Sequence, residues 1–210
     1  MYQVILLAAG NSSRSGLKYN KVLYGLNNDN TIIYKSASNF INDDRCNKIF
    51  LVCKENEIDI FKKIFKDINK IEYIIGGKTR QESLKNGLKH INSEYVLIHD
   101  GARPNYSMEL VNNILEKLHT YNAVIPALKV VDTIKEVKDN VVVKTINREV
   151  LRSVQTPQGF KTSLILKVHE LAKNNEYTDD SSMVENLSSE LVYVVSGEKN
   201  NYKYTEKEDF

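Results

Sequence analysis

The sequence predicts an α/β fold, a mostly parallel sheet with helices on both sides, from three observations. Short apolar runs alternate with amphipathic segments along the 210 residues. Several of those runs are unbroken stretches of Val, Ile, Leu and Tyr, as expected of strands covered on both faces. One pair of alternating strands interrupts the pattern and reads as an inserted hairpin. The length suits one domain, 1–210, and hydrophobic and charged residues, at 41% and 27%, are in globular proportion.

Taken in order, the expected strands are Val4–Ala9, Lys48–Cys53, Ile71–Ile75, Tyr95–His99, Ala123–Ala127, Leu191–Val195 and Tyr202–Thr205. The expected helices are Thr31–Phe40, Glu57–Phe65, Thr79–His90, Met108–Tyr121 and Thr162–Lys173. In the third helix Leu84, Leu88 and Ile91 fall on one face at spacings of four and three. Asp132–Val137 and Val141–Ile146 flank the turn-forming Lys138-Asp139-Asn140. With its flanks, this arm runs from about residue 129 to 152, and is either an edge decoration or a dimerisation element.

Charge and cysteine content exclude some classes. A net charge of +2 gives no field of the kind that marks a dedicated nucleic-acid binder, so any basic site must be local. Cys46 and Cys53 form no CxxC pair and read as idle thiols in a reducing compartment. Val4–Ala9 is too short to span a membrane and has no basic segment before it. The expectation is a cytoplasmic protein that binds neither membrane nor nucleic acid.

The chemistry lies after the strands. The first ends in Leu7-Ala8-Ala9-Gly10-Asn11-Ser12-Ser13-Arg14-Ser15-Gly16, followed by Lys18 and Lys21. Small residues let backbone N–H groups approach an anion, and Arg14 and Lys21 add positive charge. Ligands of open α/β sheets sit beyond the carboxyl ends of strands, where this loop falls. Alone it could equally be a solvated loop. Gly76-Gly77-Lys78-Thr79-Arg80-Gln81-Glu82-Ser83 after the third strand could be no more than a tight turn into a helix. His99-Asp100-Gly101-Ala102-Arg103-Pro104 offers a carboxylate suited to a divalent ion accompanying a triphosphate, or simply a cap, while His99 reads as a core residue. Arg148, then Gln155-Thr156-Pro157-Gln158-Gly159-Phe160, follow the hairpin. Tyr177-Thr178-Asp179-Asp180 also reads as a helix cap. Lys203 closes the set. Cations or hydroxyls after nearly every strand suit a substrate with several phosphates.

In this order, the motifs resemble the 2-C-methyl-D-erythritol 4-phosphate cytidylyltransferase family over nearly the whole chain. The matching residues are Ala8-Ala9-Gly10, Arg14 and Lys21, then Gly76-Gly77, Arg80, Ser83 and Gly87-Leu88. His99 to Pro104, Asp132-Thr133-Ile134-Lys135, Arg148, Leu151, Gln155 to Phe160, Thr178-Asp179, Asn201-Tyr202-Lys203 and Glu208-Asp209 complete them. The resemblance implies a Rossmann-like fold of the nucleotide-diphospho-sugar transferase type. It implies transfer of CMP from CTP to the phosphate of 2-C-methyl-D-erythritol 4-phosphate, with release of pyrophosphate, in isoprenoid precursor synthesis. Mg²⁺ or another divalent cation is the implied cofactor, and Asp100 its implied ligand.

The same resemblance assigns Ala8, Ala9, Gly10, Gly77, Lys78 and Ser83 to the nucleotide. Arg14, Lys21, Arg148 and Lys203 become the catalytic cations, and Asp100, Arg103, Thr133, Thr156 and Thr178 hold the sugar-alcohol phosphate. It makes the arm a homodimer contact, with Thr133 and Arg148 acting in the partner's site. The sequence departs from the family at Asn20, usually proline; at Ser12, commonly glycine; and at Lys78, often an acid. Asn200 stands where an aspartate often helps hold the metal. The alternatives are a ribitol 5-phosphate cytidylyltransferase, which typically reads Ala-Gly-Gly in the first loop, and a non-catalytic nucleotide-binding module.

Overall fold

A computed structural model describes residues 1–26, 30–172 and 177–210. The chain begins with β1 (Tyr2–Leu7), followed by α1 (Ile32–Ile41), β2 (Cys46–Cys53) and α2 (Ile58–Ile64). β3 (Ile71–Ile75), α3 (Arg80–Leu88), β4 (Tyr95–Asp100), α4 (Met108–Leu118) and β5 (Ala123–Lys129) continue the alternation. The arm is β6 (Ile134–Lys138) and β7 (Val141–Ile146). β8 (Arg152–Val154), β9 (Gln158–Lys161), α5 (Thr162–Leu171), α6 (Asp180–Leu187) and β10 (Val192–Ser196) return the chain to the body. The predicted end of the fifth helix, Lys173, lies outside the described residues.

The central sheet runs β8-β5-β9-β4-β1-β2-β3, with β10 paired to β5. The pairs β1–β2, β1–β4, β2–β3 and β5–β10 are parallel. β9 runs antiparallel to both β4 and β5, and β8 antiparallel to β5. The sheet is thus mixed and mostly parallel. Side chains alternate across it: Val4 and Leu6 join one core layer, and Ile5 the other. Leu84, Leu88 and Ile91 pack into the second layer, and Cys46 and Cys53 are buried and free. Burial pushes both thiols up to about 12, so neither is a ready nucleophile or metal ligand at neutral pH.

Helix starts follow local chemistry. Thr31, Thr79, Ser107 and Asp179 each accept the N3 backbone N–H at the start of α1, α3, α4 and α6. One expected element is replaced. Tyr202–Thr205 is irregular rather than a strand: within it, Tyr204 N–H bonds Ala102 O, and Thr205 Oγ1 bonds Lys203 O. The Tyr202 and Tyr204 rings pack on each other with centroids 5.1 Å apart.

Candidate active site

Two clefts open at the carboxyl ends of β1, β3 and β4 and share a wall. The first, about 670 Å³, is lined by the loop after β1, the turn into α3, Lys54, Asp100 and Lys203. The second, about 430 Å³, lies between Arg103, the β8–β9 connection and the start of α6. Arg80, Asp100 and Lys203 line both. Each has the size of a small-molecule site.

The loop after β1 is shaped by two side chains. Ser12 adopts φ +54°, the left-handed region that favours glycine. Its hydroxyl accepts Lys21 N–H at 2.9 Å and donates to Asn20 Oδ1 at 3.3 Å. The Asn20 amide donates to Ala8 O at 2.7 Å and to Glu57 Oε2 at 2.9 Å. Asn20 has φ −63° and caps the short turn Lys21–Leu23. The loop is therefore braced by side-chain hydrogen bonds at Asn20 and Ser12, the two positions where the resemblance led to the expectation of proline and glycine.

The turn into α3 needs its glycines because neighbours approach closely. A Cβ on Gly76 would lie 2.6 Å from the Ala9 methyl, and one on Gly77 would lie 2.3 Å from Glu82 Cβ. Gly77 N–H is held by Ser83 Oγ at 3.0 Å, and Lys78 N–H by Glu82 Oε2 at 2.7 Å. Ser83 thus has a bond within its own turn.

Asp100 is the electrostatic centre. Its carboxylate meets Lys203 Nζ at 2.8 Å, Arg80 Nε at 3.6 Å and Arg103 Nε at 3.7 Å. Burial would raise its pKa, but Lys203, then Arg80 and Arg103, outweigh burial and hold the carboxyl well below the usual range. Arg80 also makes a two-pronged pair with Asp180, both contacts 2.8 Å. Arg80 thereby joins the start of α3 to the start of α6, across both clefts. Lys21 shows the opposite effect. Burial, then the Lys203 and Arg14 charges, lower its pKa. Positive charge concentrated this way favours a polyanionic ligand.

His99 is fully buried, and burial lowers its pKa to about 4, so it is neutral at pH 7. Its Nε2 faces the Arg103 carbonyl at 3.0 Å, which can only accept, so that nitrogen carries the proton. Nδ1 then accepts from the Thr156 hydroxyl at 2.9 Å, and Thr156 Oγ1 accepts Asp100 N–H at 3.0 Å. His99 is a core residue, as its strand-end place suggests. The Thr156 hydroxyl is committed to holding Asp100, although Thr156 lines the second cleft.

Ala9, Gly10, Arg14, Lys21, Gly77, Lys78, Ser83, Asp100 and Lys203 come together in the first cleft. Ala8 is buried beneath it, its carbonyl taken by Asn20. Asp100, Arg103, Thr156 and Thr178 share the second. Thr133 and Arg148 join neither. Both are exposed on the arm, and the Arg148 guanidinium donates to Val131 O. Asn200 lies at a third, open depression with Lys35 and Tyr202. Sequence reasoning missed Lys54, Glu57 and the pairing of Arg80 with Asp180. The rule that cations follow strands would have found Lys54 after β2; nothing local pairs Arg80 with a residue one hundred positions on.

Comparison with known proteins gives a consistent result. Residues 2–210 match the family described as 2-C-methyl-D-erythritol 4-phosphate cytidylyltransferase. A Bacillus cereus protein of that name is 39% identical over 100% of this chain and 94% of its own length. One from Geobacillus thermodenitrificans is 41% identical over 99% of this chain and 93% of its own. The crystal structure of 4-diphosphocytidyl-2C-methyl-D-erythritol synthase from Anaerococcus prevotii is similar at a TM-score of 0.87. It is 34% identical, with 99% of this chain and 94% of that one covered.

Proposed function

The chain belongs to the 2-C-methyl-D-erythritol 4-phosphate cytidylyltransferase family, and from that premise we propose how its two clefts divide the reaction. The activity is transfer of CMP from CTP to the phosphate of 2-C-methyl-D-erythritol 4-phosphate, giving 4-diphosphocytidyl-2-C-methyl-D-erythritol and pyrophosphate for isoprenoid precursor synthesis. CTP takes the first cleft and the acceptor the second. The observation that carries this division is the shared wall of Arg80, Asp100 and Lys203. A phosphate leaving one cleft and a phosphate entering from the other meet there.

Ala9, Gly10, Gly77, Lys78 and Ser83 surround the nucleotide, with Ala8 packed beneath. Arg14 and Lys21 face the α-phosphate. Arg103, Thr178 and Asp100 hold the acceptor, and Lys203 turns its phosphate toward the α-phosphorus. An acceptor phosphate oxygen attacks that phosphorus, the bond to the β-phosphate oxygen breaks, and pyrophosphate leaves with the electron pair. No protein nucleophile or strong base is required, because a phosphate monoester is already anionic at neutral pH. The protein contributes position and positive charge for a more negative transition state.

The cofactor is Mg²⁺ or another divalent cation. Asp100 is the carboxylate that the described residues offer on the wall of the nucleotide cleft, and no cluster of three metal-ligating side chains occurs among them. That donor set fits a magnesium ion held mainly by the triphosphate, with Asp100 as its protein ligand. When bound it would neutralise charge on the phosphate oxygens.

The second subunit supplies Thr133 and Arg148. No residue from 131 to 154 is buried, and Val137, Val141, Val142, Val143 and Val150 are exposed. A two-stranded hairpin is marginal alone, so a two-fold partner would cover it and bring Arg148 to a neighbouring nucleotide cleft. A preference for a pyrimidine over a purine is expected from the small residues Ala8, Ala9, Gly76 and Gly77 around the base. Pyrophosphate release measured with CTP, ATP, GTP and UTP against methylerythritol and ribitol phosphates tests the reading. Turnover with CTP and the methylerythritol substrate is the expected result; equal turnover with ATP defeats it.

A further inference from the structure

We infer that Glu57, outside both clefts, is a positioning residue for Lys21 and acts through Asn20. The inference rests on Lys21 serving the α-phosphate as proposed above. Glu57 ends the short turn Glu55–Glu57 between β2 and α2, and only 9% of its surface is exposed. A buried carboxylate needs partners, and each of its oxygens faces one. Oε2 accepts from Asn20 Nδ2 at 2.9 Å, and Oε1 lies 3.9 Å from Lys54 Nζ, itself on the wall of the nucleotide cleft.

Asn20 is 4% exposed. Its second amide hydrogen goes to Ala8 O at the end of β1, while its Oδ1 accepts Val22 N–H and the Ser12 hydroxyl. Ser12 in turn holds Lys21 N–H. The orientation of the Asn20 amide decides whether this network closes. Glu57 and the Ala8 carbonyl set it together, because both can only accept and therefore select the NH₂ end, and Glu57 is the one of the two that a side-chain substitution can remove. Without Glu57 the NH₂ group loses one of its two anchors, and the backbone at Lys21 loses the bracing that runs through Ser12. A general property of preorganised sites follows: a small displacement of the charged head costs turnover rather than binding.

The position also admits a different solution. Asn20 has φ −63°, which proline also adopts. A ring there would hold the backbone without a side-chain clamp, so Glu57 should matter only while residue 20 is asparagine.

The test compares steady-state kinetics of the full chain with CTP and acceptor, alongside thermal melts. Glu57→Ala and Asn20→Ala should each lower kcat about tenfold to a hundredfold with KM values little changed, the pattern of misplacement. Glu57→Gln, which keeps an acceptor for Asn20, should recover most of kcat. If Glu57→Ala does not fold, Asn20→Ala and Glu57→Gln carry the comparison. Asp59→Asn, a nearby exposed carboxylate, should be without effect. In an Asn20→Pro background, Glu57→Ala should cost little further; the same loss as in the native background overturns the inference. Lys21→Ala is measured in parallel. If Lys21→Ala is crippled while Glu57→Ala keeps native kcat, the positioning role is wrong. If Lys21→Ala itself keeps native kcat, the assignment of Lys21 is what fails.

Discussion

The loop around Lys21 and the arm carrying Arg148 both bring a cation to the same proposed chemistry, yet they are built in opposite ways. The loop is internally satisfied: Ser12, Asn20 and Glu57 tie it to β1 and to the turn after β2. The arm is held mainly by its own ladder, with Lys144 to Glu136 at 3.1 Å and Lys135 to Thr145 at 2.6 Å on its exposed surface. One cation is preorganised by its own chain. The other, in the proposed two-fold arrangement, would be placed by a surface outside its own chain. Stability and activity should therefore respond differently to changes in the two regions.

The largest expected effect is on the loop. Lys21→Ala should lower kcat by about 10² to 10³, the range for losing one preorganised transition-state stabiliser. The melting temperature should hold, since only the side chain of Lys21 is lost and its backbone bond to Ser12 stays. A variant with native kcat breaks the comparison at once.

Arg148→Ala should be about as inactive, with a native melt. Mixing refolded Lys21→Ala and Arg148→Ala chains then sharpens the comparison. If the arm crosses to a two-fold partner, half of the dimers are mixed and one of their two sites is intact. Activity should return to about a quarter of the native value. A mixture that exchanges subunits and stays inactive would put Arg148 in its own chain's site.

Acid should act on the body and spare the arm. Burial lowers both His99 and His169 to about 4, against about 6.5 for an unfolded chain. The unfolded state therefore takes up protons that the folded state refuses, and stability should fall as pH drops from about 6.5 toward 4. Below that, Asp100 extends the loss, because its depressed carboxyl stabilises the fold only above its unfolded pKa. Thermal melts between pH 7 and 4 read this directly, and a flat profile contradicts it.

The smallest effect should come from the arm's apolar face. Val141→Ser with Val143→Ser, both exposed, should change the stability of the isolated chain by less than about 0.5 kcal/mol per site. The same pair should weaken self-association by dilution in sedimentation. Unchanged association would remove the apolar face from the dimer contact.

The two regions were also unequally legible in the sequence. The parallel strands, their helices and the hairpin could be read because apolar periodicity reports burial directly. Thr79 and Asp179 announce their helices by chemistry that acts within four residues. The start of α6 was read at Asp179, but no span was assigned to it, because its sequence, DSSMVENL, is mostly polar. β8 and β9 were hidden by the Gln155-Thr156-Pro157 break, and Tyr202–Thr205 imitates a strand by alternation while lying on Ala102 instead. Of the site, the residues after the strands were foreseeable from the rule that ligands sit at strand ends. The Arg80–Asp180 pair and the Glu57–Asn20 clamp were not, since each joins residues distant in sequence.

The crowding of charge in the first cleft has a consequence for encounter. Among the described residues, Arg14, Lys21, Lys54, Lys78, Arg80 and Lys203 line it against the one carboxylate of Asp100. A chain of net charge +2 thus concentrates more than its whole positive balance at one opening and is acidic elsewhere. A polyanion approaching from solution is drawn to that opening. Such guidance weakens once the Debye length, about 8 Å at physiological ionic strength, shortens further. The association rate of the nucleotide is accordingly the quantity most exposed to added salt, while turnover on the bound complex is shielded from it.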